Sequence, residues 1–263
     1  MKAEELLIYL SIKFEGRWED IYSFIKKKEK PPFEEELTSC KNSLKYKYVT
    51  LVSEDYPSVL KHSLTSPPFV LYYEGDLSLL NEEKYKHLTV VGSRNACLYS
   101  KNKVMSLIEE LPENIVVVSG LAKGIDSYGM SAAIKSNKKV IAVLGNGIGY
   151  CYPKENEHIY KDIVNNGGLV LSEYPPNVGP HQDNFRWRNR ILAAIGDAIF
   201  VGEAKYNSGT RITINYALNY GKSVGCLPYR ANEDSYCNLL IKQGADMIET
   251  LDDLKSLLNM PLK

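Results

Sequence analysis

Three of the chain's seven arginines fall within five residues, in the run Phe185-Arg186-Trp187-Arg188-Asn189-Arg190, interleaved with two aromatic rings. A guanidinium fork matches phosphate oxygens, and an aromatic face accepts a stacked base. Together they predict a local grip on single-stranded nucleic acid. The grip has to be local because the chain is neutral overall, with 32 Lys+Arg against 32 Asp+Glu. That balance argues against a protein that coats nucleic acid over its whole surface, but not against a basic groove on one face.

Glycine-rich turns carry the second signal. Gly92-Ser93-Arg94 follows the apolar run Leu88–Val91. Ser119-Gly120-Leu121-Ala122-Lys123-Gly124 follows Ile115–Val118. Gly145-Asn146-Gly147 follows Val140–Leu144 and leads to Tyr152-Pro153-Lys154. Asn207-Ser208-Gly209-Thr210 opens a helical segment after Ala198–Val201. Glycine lets backbone approach a ligand closely, and free N–H groups at a helix start favour an anion. Any one such turn can be turn chemistry alone. Repetition of Gly with Ser, Thr, Lys or Arg along the series points to a binding edge.

These residues have to be positioned by a scaffold. Apolar runs at Leu88–Val91, Ile115–Val118, Val140–Leu144, Leu169–Leu171, Ala198–Val201 and Ser223–Leu227 alternate with helical spacing at 100–111, 124–136, 155–165, 187–195 and 210–220. Continuous apolar strands alternating with helices predict an α/β fold, a Rossmann-like, mostly parallel sheet covered on both faces. In such sheets ligands bind beyond the carboxyl ends of the strands, where the glycine-rich turns lie. An extended segment, Phe69–Tyr73, precedes this core. Residues 1–60 read as a small helical appendage, with helices at Leu6–Ile12 and Trp18–Ile25, and 61–263 as the Rossmann-like domain. The run Lys26-Lys27-Lys28-Glu29-Lys30 before Pro31-Pro32 reads as a solvated helix end.

Other chemistry is poorly supported. Gly145-x-Gly147-x-Gly149 is not a dinucleotide fingerprint, and no phosphate loop of the G-x-x-x-x-G-K-[ST] type occurs. His62, His87, His158 and His181 lack metal-ligand spacing, so no metal or cofactor is expected. Ser93 and Ser119 have no His/Asp relay, and no catalytic residue is expected. Asp126, Glu173 and Glu203 fit structural roles, orienting arginines or capping helices, better than acid–base roles. The five cysteines are scattered and form no C-x-x-C pair, which implies reduced thiols in the cytoplasm. The N-terminus is not a signal peptide, and no apolar stretch is long enough to span a membrane.

From Tyr56 to Gly244 the chain resembles the DprA/Smf family of bacterial DNA-processing proteins. Its motifs appear in order: Tyr56-Pro57; Ser66-Pro67-Pro68 with Leu71-Tyr72 and Gly75-Asp76; Val91-Gly92-Ser93-Arg94; Ser119 to Asp126; Ala142 to Tyr152-Pro153; Leu171-Ser172-Glu173-Tyr174-Pro175; Phe185-x-x-Arg188-Asn189-Arg190-Ile191; and Glu203-Ala204 before Ser208-Gly209-Thr210. The resemblance implies a homodimer that binds single-stranded DNA during natural transformation, helps load the RecA recombinase, and carries no catalytic chemistry. It implies phosphate contacts from Arg94 and its Gly92-Ser93 turn, with Lys154, Arg188 and Arg190 in the same pocket and Phe185 stacked on a base. Trp187 fits helix packing. The chain departs from the family pattern at Tyr229, Cys237, Ile214 and the Arg186-Trp187 pair. It ends soon after Gly244, so the winged-helix-like C-terminal domain of many members is expected to be absent. Two rivals stand beside this reading: a nucleotide-binding or nucleotide-cleaving protein using the Asn207–Thr210 turn, and an interaction protein with a vestigial pocket.

Overall fold

A computed structural model describes residues 3–233 and 235–261. The chain opens with three helices: α1 (Ala3–Lys13), α2 (Trp18–Lys26) and α3 (Glu34–Asn42). α1 starts on Glu4 and Glu5 and ends on Lys13, matching the helix dipole at both ends. α2 buries Ile21 and Phe24, which follow Trp18 at three-residue spacing on one face. Next come β1 (Lys47–Thr50), α4 (Ser58–Ser63) and β2 (Val70–Gly75).

From β3 (Lys86–Gly92) the chain alternates: α5 (Leu98–Glu109), β4 (Ile115–Ser119), α6 (Ile125–Lys135), β5 (Val140–Leu144), α7 (Glu157–Asn165), β6 (Leu169–Ser172), α8 (Gln182–Ile195), β7 (Ala198–Glu203), α9 (Thr210–Asn219), β8 (Ser223–Cys226), α10 (Tyr236–Lys242), β9 (Asp246–Met247) and α11 (Leu251–Leu257). All six apolar runs are strands, and each expected helix is present with ends shifted by a few residues.

The strands form one sheet in the order β1-β2-β6-β5-β4-β3-β7-β8-β9. Pairing is parallel from β6 to β9, and antiparallel where β2 meets β6 and β1 meets β2. Side chains alternate across the central strands. Leu88, Val90, Val117 and Ala142 join α5, α6 and α7 in one core, while Val91, Val116, Val118 and Val143 join α4, α8 and α9 in the other. Helices therefore cover both faces of a mostly parallel sheet, as expected for a Rossmann-like α/β fold.

The boundary expected at residue 60 falls inside this sheet. Lys47–Thr50 pairs in register with Val70–Tyr73, so β1 extends the sheet's edge. The helices before it are also joined to the core: Leu7 packs within it, and Tyr72 donates a hydrogen bond to Ser11 at 3.1 Å. Gly16, at φ +73°, lies so close to the Glu173 carbonyl that a Cβ would stand 2.8 Å from it. No helix among the described residues is long and apolar enough to cross a membrane.

Candidate nucleic-acid interface

The strand order reverses between β3 and β7, and a crevice opens there beyond the carboxyl ends of the strands. It is a cleft of about 790 Å³. Three segments build its walls: the turn after β3, one face of α8, and the turn from β7 into α9.

The β3 turn is pinned from two sides. Ser93 donates its backbone N–H to the Glu203 carbonyl at 2.8 Å, and its own carbonyl accepts from Ile125 at 3.1 Å. A Cβ on Gly92 would stand 2.5 Å from Ile125 Cγ1, and one on Gly124, at φ +77°, would stand 2.2 Å from the Ser93 carbonyl. Only glycine fits such approaches. The turn so fixed presents Arg94, an exposed guanidinium, along the cleft.

α8 contributes Gln182, Phe185, Arg186, Asn189 and Leu192. Their three- and four-residue spacing makes them one helix face. Phe185 lies over Gly145, where a Cβ would stand 2.3 Å from the ring, and packs against Tyr152 with centroids 5.5 Å apart. Tyr152 is 41% exposed. The pair presents aromatic surface to the cleft.

Arg188 forms the floor. It is buried, and its Nη1 donates to the Gly120 carbonyl at 3.0 Å and to the Val143 carbonyl. Burial lowers its pKa to about 10, Asp126 works against that fall, and Arg94 adds to it. The group is still a cation at neutral pH, so its charge reaches the cleft from beneath. Asp126 receives the N–H groups of Gly120 and Ala122 at 3.1 and 3.4 Å. Burial pushes its carboxyl upward while Arg188 pulls it back.

On the β7 side Lys205, Asn207, Ser208, Gly209 and Thr210 line the cleft up to the start of α9. Ser208 Oγ is buried without a partner in the protein. A buried hydroxyl left open beside a helix N-terminus is a ready donor for an anion. Glu203 is not part of this chemistry. Its Oε2 accepts from the Cys97 N–H at 2.8 Å and from Ser100 Oγ at 2.5 Å, which secures the start of α5.

Several expected site residues lie elsewhere. Arg190 is 2% exposed and bidentate to Glu173, at 2.7 and 2.6 Å, with a further bond from Nε to the Ser66 carbonyl. Its guanidinium stacks 4.2 Å from the Trp187 ring, so Trp187 packs as expected and Arg190 is a strut rather than a pocket residue. Ser119 is buried with its hydroxyl on the Val90 carbonyl at 2.6 Å. Gly120 and Gly147 have their N–H groups taken by Asp126 and by the Val178 carbonyl. Gly145 is covered by Phe185. Lys123 pairs with Glu155 at 2.6 Å, and Lys154 is exposed but outside the cleft lining. Of the expected set, the cleft brings together Gly92, Ser93, Arg94, Phe185, Arg188, Asn189, Ser208, Gly209 and Thr210.

The contact set expected from sequence left out Lys205 and Tyr152, and it left out Arg186 and Asn207 although the runs that contain them were singled out. Helical spacing from Asn189, three residues on, points to Arg186, and the position just past β7 points to Lys205. Among the described residues no group of three His, Cys, Asp or Glu is placed to hold a metal ion.

Comparison with known proteins gives a consistent result. The family model for DNA recombination-mediator protein A matches residues 47–259. DNA processing protein DprA of Streptococcus pneumoniae is 36% identical over 212 residues, covering 80% of this chain and 73% of that protein. The Bacillus subtilis DprA is 36% identical over 210 residues, covering 78% of this chain and 69% of its own length. Among solved structures, DNA processing protein A of S. pneumoniae superposes with a TM-score of 0.78 at 30% identity, over 98% of this chain and 94% of the other. A structure of DNA processing protein A from Helicobacter pylori, determined for its single-stranded DNA binding mode, superposes with a TM-score of 0.72 at 29% identity, over 82% of this chain and 97% of the other.

Proposed function

The chain belongs to the DprA/Smf family of DNA recombination-mediator proteins, and we propose that it holds single-stranded DNA in the cleft between β3 and β7. The observation that carries this reading is one concave edge combining the exposed cations Arg94, Arg186 and Lys205, the buried Arg188, and the Phe185–Tyr152 aromatic pair. Phosphates run past the cations and the start of α9, where Ser208 Oγ donates. Bases stack against Phe185. Flexible single strands can splay their bases onto such a surface, whereas a duplex keeps them stacked inside.

The same reading makes the protein a non-catalytic, cytoplasmic homodimer that protects incoming strands in natural transformation and passes them to RecA. Light scattering that returns twice the chain mass supports the dimer. RecA filament assembly on a strand carrying this protein, faster than on a strand carrying an unrelated binder, supports the hand-over.

Stacking of a base on an aromatic side chain is worth about 1–3 kcal/mol. Phe185→Leu, which keeps apolar cover over Gly145, should therefore weaken oligothymidine binding by that amount in a titration. Unchanged affinity removes Phe185 from the site. The unpartnered Ser208 hydroxyl beside α9 also favours a second reading, a nucleotide-cleaving site. Incubation with nucleoside monophosphates followed by chromatography separates the two: no released base is expected, and release would establish the enzyme.

A further inference from the structure

The lysine run after α2 is not absorbed by the cleft. Lys26, Lys27, Lys28 and Lys30 are all exposed, with Glu29 among them. Among the described residues none of the four forms an ion pair, unlike Lys41, Lys123, Lys135, Lys161 and Lys255. The dipole of α2 accounts for cations in its last turn, at Lys26 and Lys27. It does not account for Lys28, which adopts φ 53°, where glycine is the ordinary residue past a helix end, or for Lys30 in the loop beyond.

Aromatic surface accompanies the charge. Lys26 Nζ sits 5.7 Å from the Tyr22 ring centroid, Tyr22 is 44% exposed, and Phe33 is 82% exposed three residues past Lys30. Tyr22 stacks on Trp18 at 4.9 Å and 14°, and Trp18 meets Trp187 at 6.4 Å. Trp187 is the residue next to Arg186 and two beyond Phe185 on α8, and both of those line the cleft. An aromatic series thus runs from the cleft's own helix to the lysines.

Resting on the strand-binding reading of the cleft, we infer that the end of α2 is a second contact for the same single strand. A strand leaving the cleft past Arg186 passes the Trp187–Trp18–Tyr22 series and reaches Lys26–Lys30, where phosphates meet unpaired ammonium groups. Unspecific single-strand surfaces combine cations that follow the backbone with rings that accept any base; here the exposed rings are Tyr22 and Phe33, while Trp18 is stacked on Tyr22 and Phe69 and Trp187 on Arg190. Such a contact adds length-dependent affinity without changing what the cleft holds.

The test compares two oligothymidines, one of about 6 and one of about 20 nucleotides, within and beyond the ~4–16 nucleotides that one single-strand-binding fold occupies. The variant is Lys26→Ala/Lys27→Ala/Lys28→Ala, three exposed residues. Wild type is expected to bind the long strand more tightly and with a steeper salt dependence. The variant should bind the short strand like wild type, weaken about tenfold on the long strand, and show a log–log salt slope shallower by about 2 there, at ~0.7 for each phosphate no longer neutralised. Equal binding of the long strand by variant and wild type overturns the inference. So does an equal weakening on both lengths. Failure of wild type to bind either strand would instead sink the reading of the cleft, and this second contact with it.

Discussion

Arg190→Ala is expected to cost about 3–5 kcal/mol of folding stability, the largest effect of any single change proposed for this chain. The reason is what the substitution leaves behind. Glu173 is 3% exposed at its side chain and receives both of its charge-assisted bonds from Arg190, at 2.6 and 2.7 Å. Truncating the arginine strands a carboxylate where water cannot reach it, and a buried unpaired charge costs far more than the pair contributes. The Ser66 and Trp187 carbonyls lose a donor as well, and Trp187 loses its stacked cation. Arg190→Lys should recover little, because a single ammonium cannot reproduce the bidentate fork. Glu173→Leu combined with Arg190→Met should recover most of the stability, since it removes both charges together. Urea unfolding midpoints at constant slope would measure all of these. A stability within about 1 kcal/mol of wild type for Arg190→Ala would show that the pair is not the strut described here.

The second large effect is on binding. Arg94 and Lys205 line the cleft from two neighbouring turns, after β3 and after β7, and both are exposed. Neither has an ion pair among the described residues, so removing them costs the fold little. Hydrogen bonds to charged groups contribute about 1.5–3 kcal/mol each. Arg94→Ala with Lys205→Ala should therefore weaken single-strand binding at least a hundredfold at low salt. The log–log salt slope should become shallower by about 1.4, two phosphates at ~0.7 each. Lys123→Ala serves as the contrast. Its ammonium is paired with Glu155 away from the cleft lining, so its affinity should match wild type. If the double variant keeps the wild-type slope, these residues do not touch phosphate.

Most of the fold was legible because its signals are local. β3 to β8 are apolar runs buried on both faces, and the helices between them have clear periodicity. β1 was not legible: Lys47-Tyr48-Val49-Thr50 is short and half polar, and only its register against β2 makes it a strand. β9 is two residues long and has no signature of its own.

The site was legible at its turns and ambiguous on its helix. Arg186, Arg188 and Arg190 look alike in sequence, and helix geometry separates only Arg188, about 200° from each neighbour, while Arg186 and Arg190, four apart, share a side of α8. Arg186 reaches the open cleft, Arg188 lies beneath it, and Arg190 turns away to a glutamate seventeen positions earlier. That partner is set by the tertiary fold. The expectation that Asp126, Glu173 and Glu203 take structural roles fits the geometry, in which Glu173 holds Arg190 and Glu203 the start of α5, and it was the role of Arg190 that was misassigned. Glycines were misassigned for a related reason. Gly120, Gly145 and Gly147 make room for Arg188, Phe185 and the Pro175 carbonyl, so they shape the cleft without facing it.

The central claim is that this cleft grips single strands by phosphate charge and base stacking. The most direct measurement is fluorescence anisotropy of a labelled oligothymidine and of a duplex of equal length, each at two salt concentrations, with wild type and Arg94→Ala side by side. A grip by phosphate charge and base stacking gives tight binding of the single strand, weakened by salt, weaker for the duplex, and reduced in the variant. Absence of single-strand binding at low salt, or equal binding by wild type and Arg94→Ala, would contradict it.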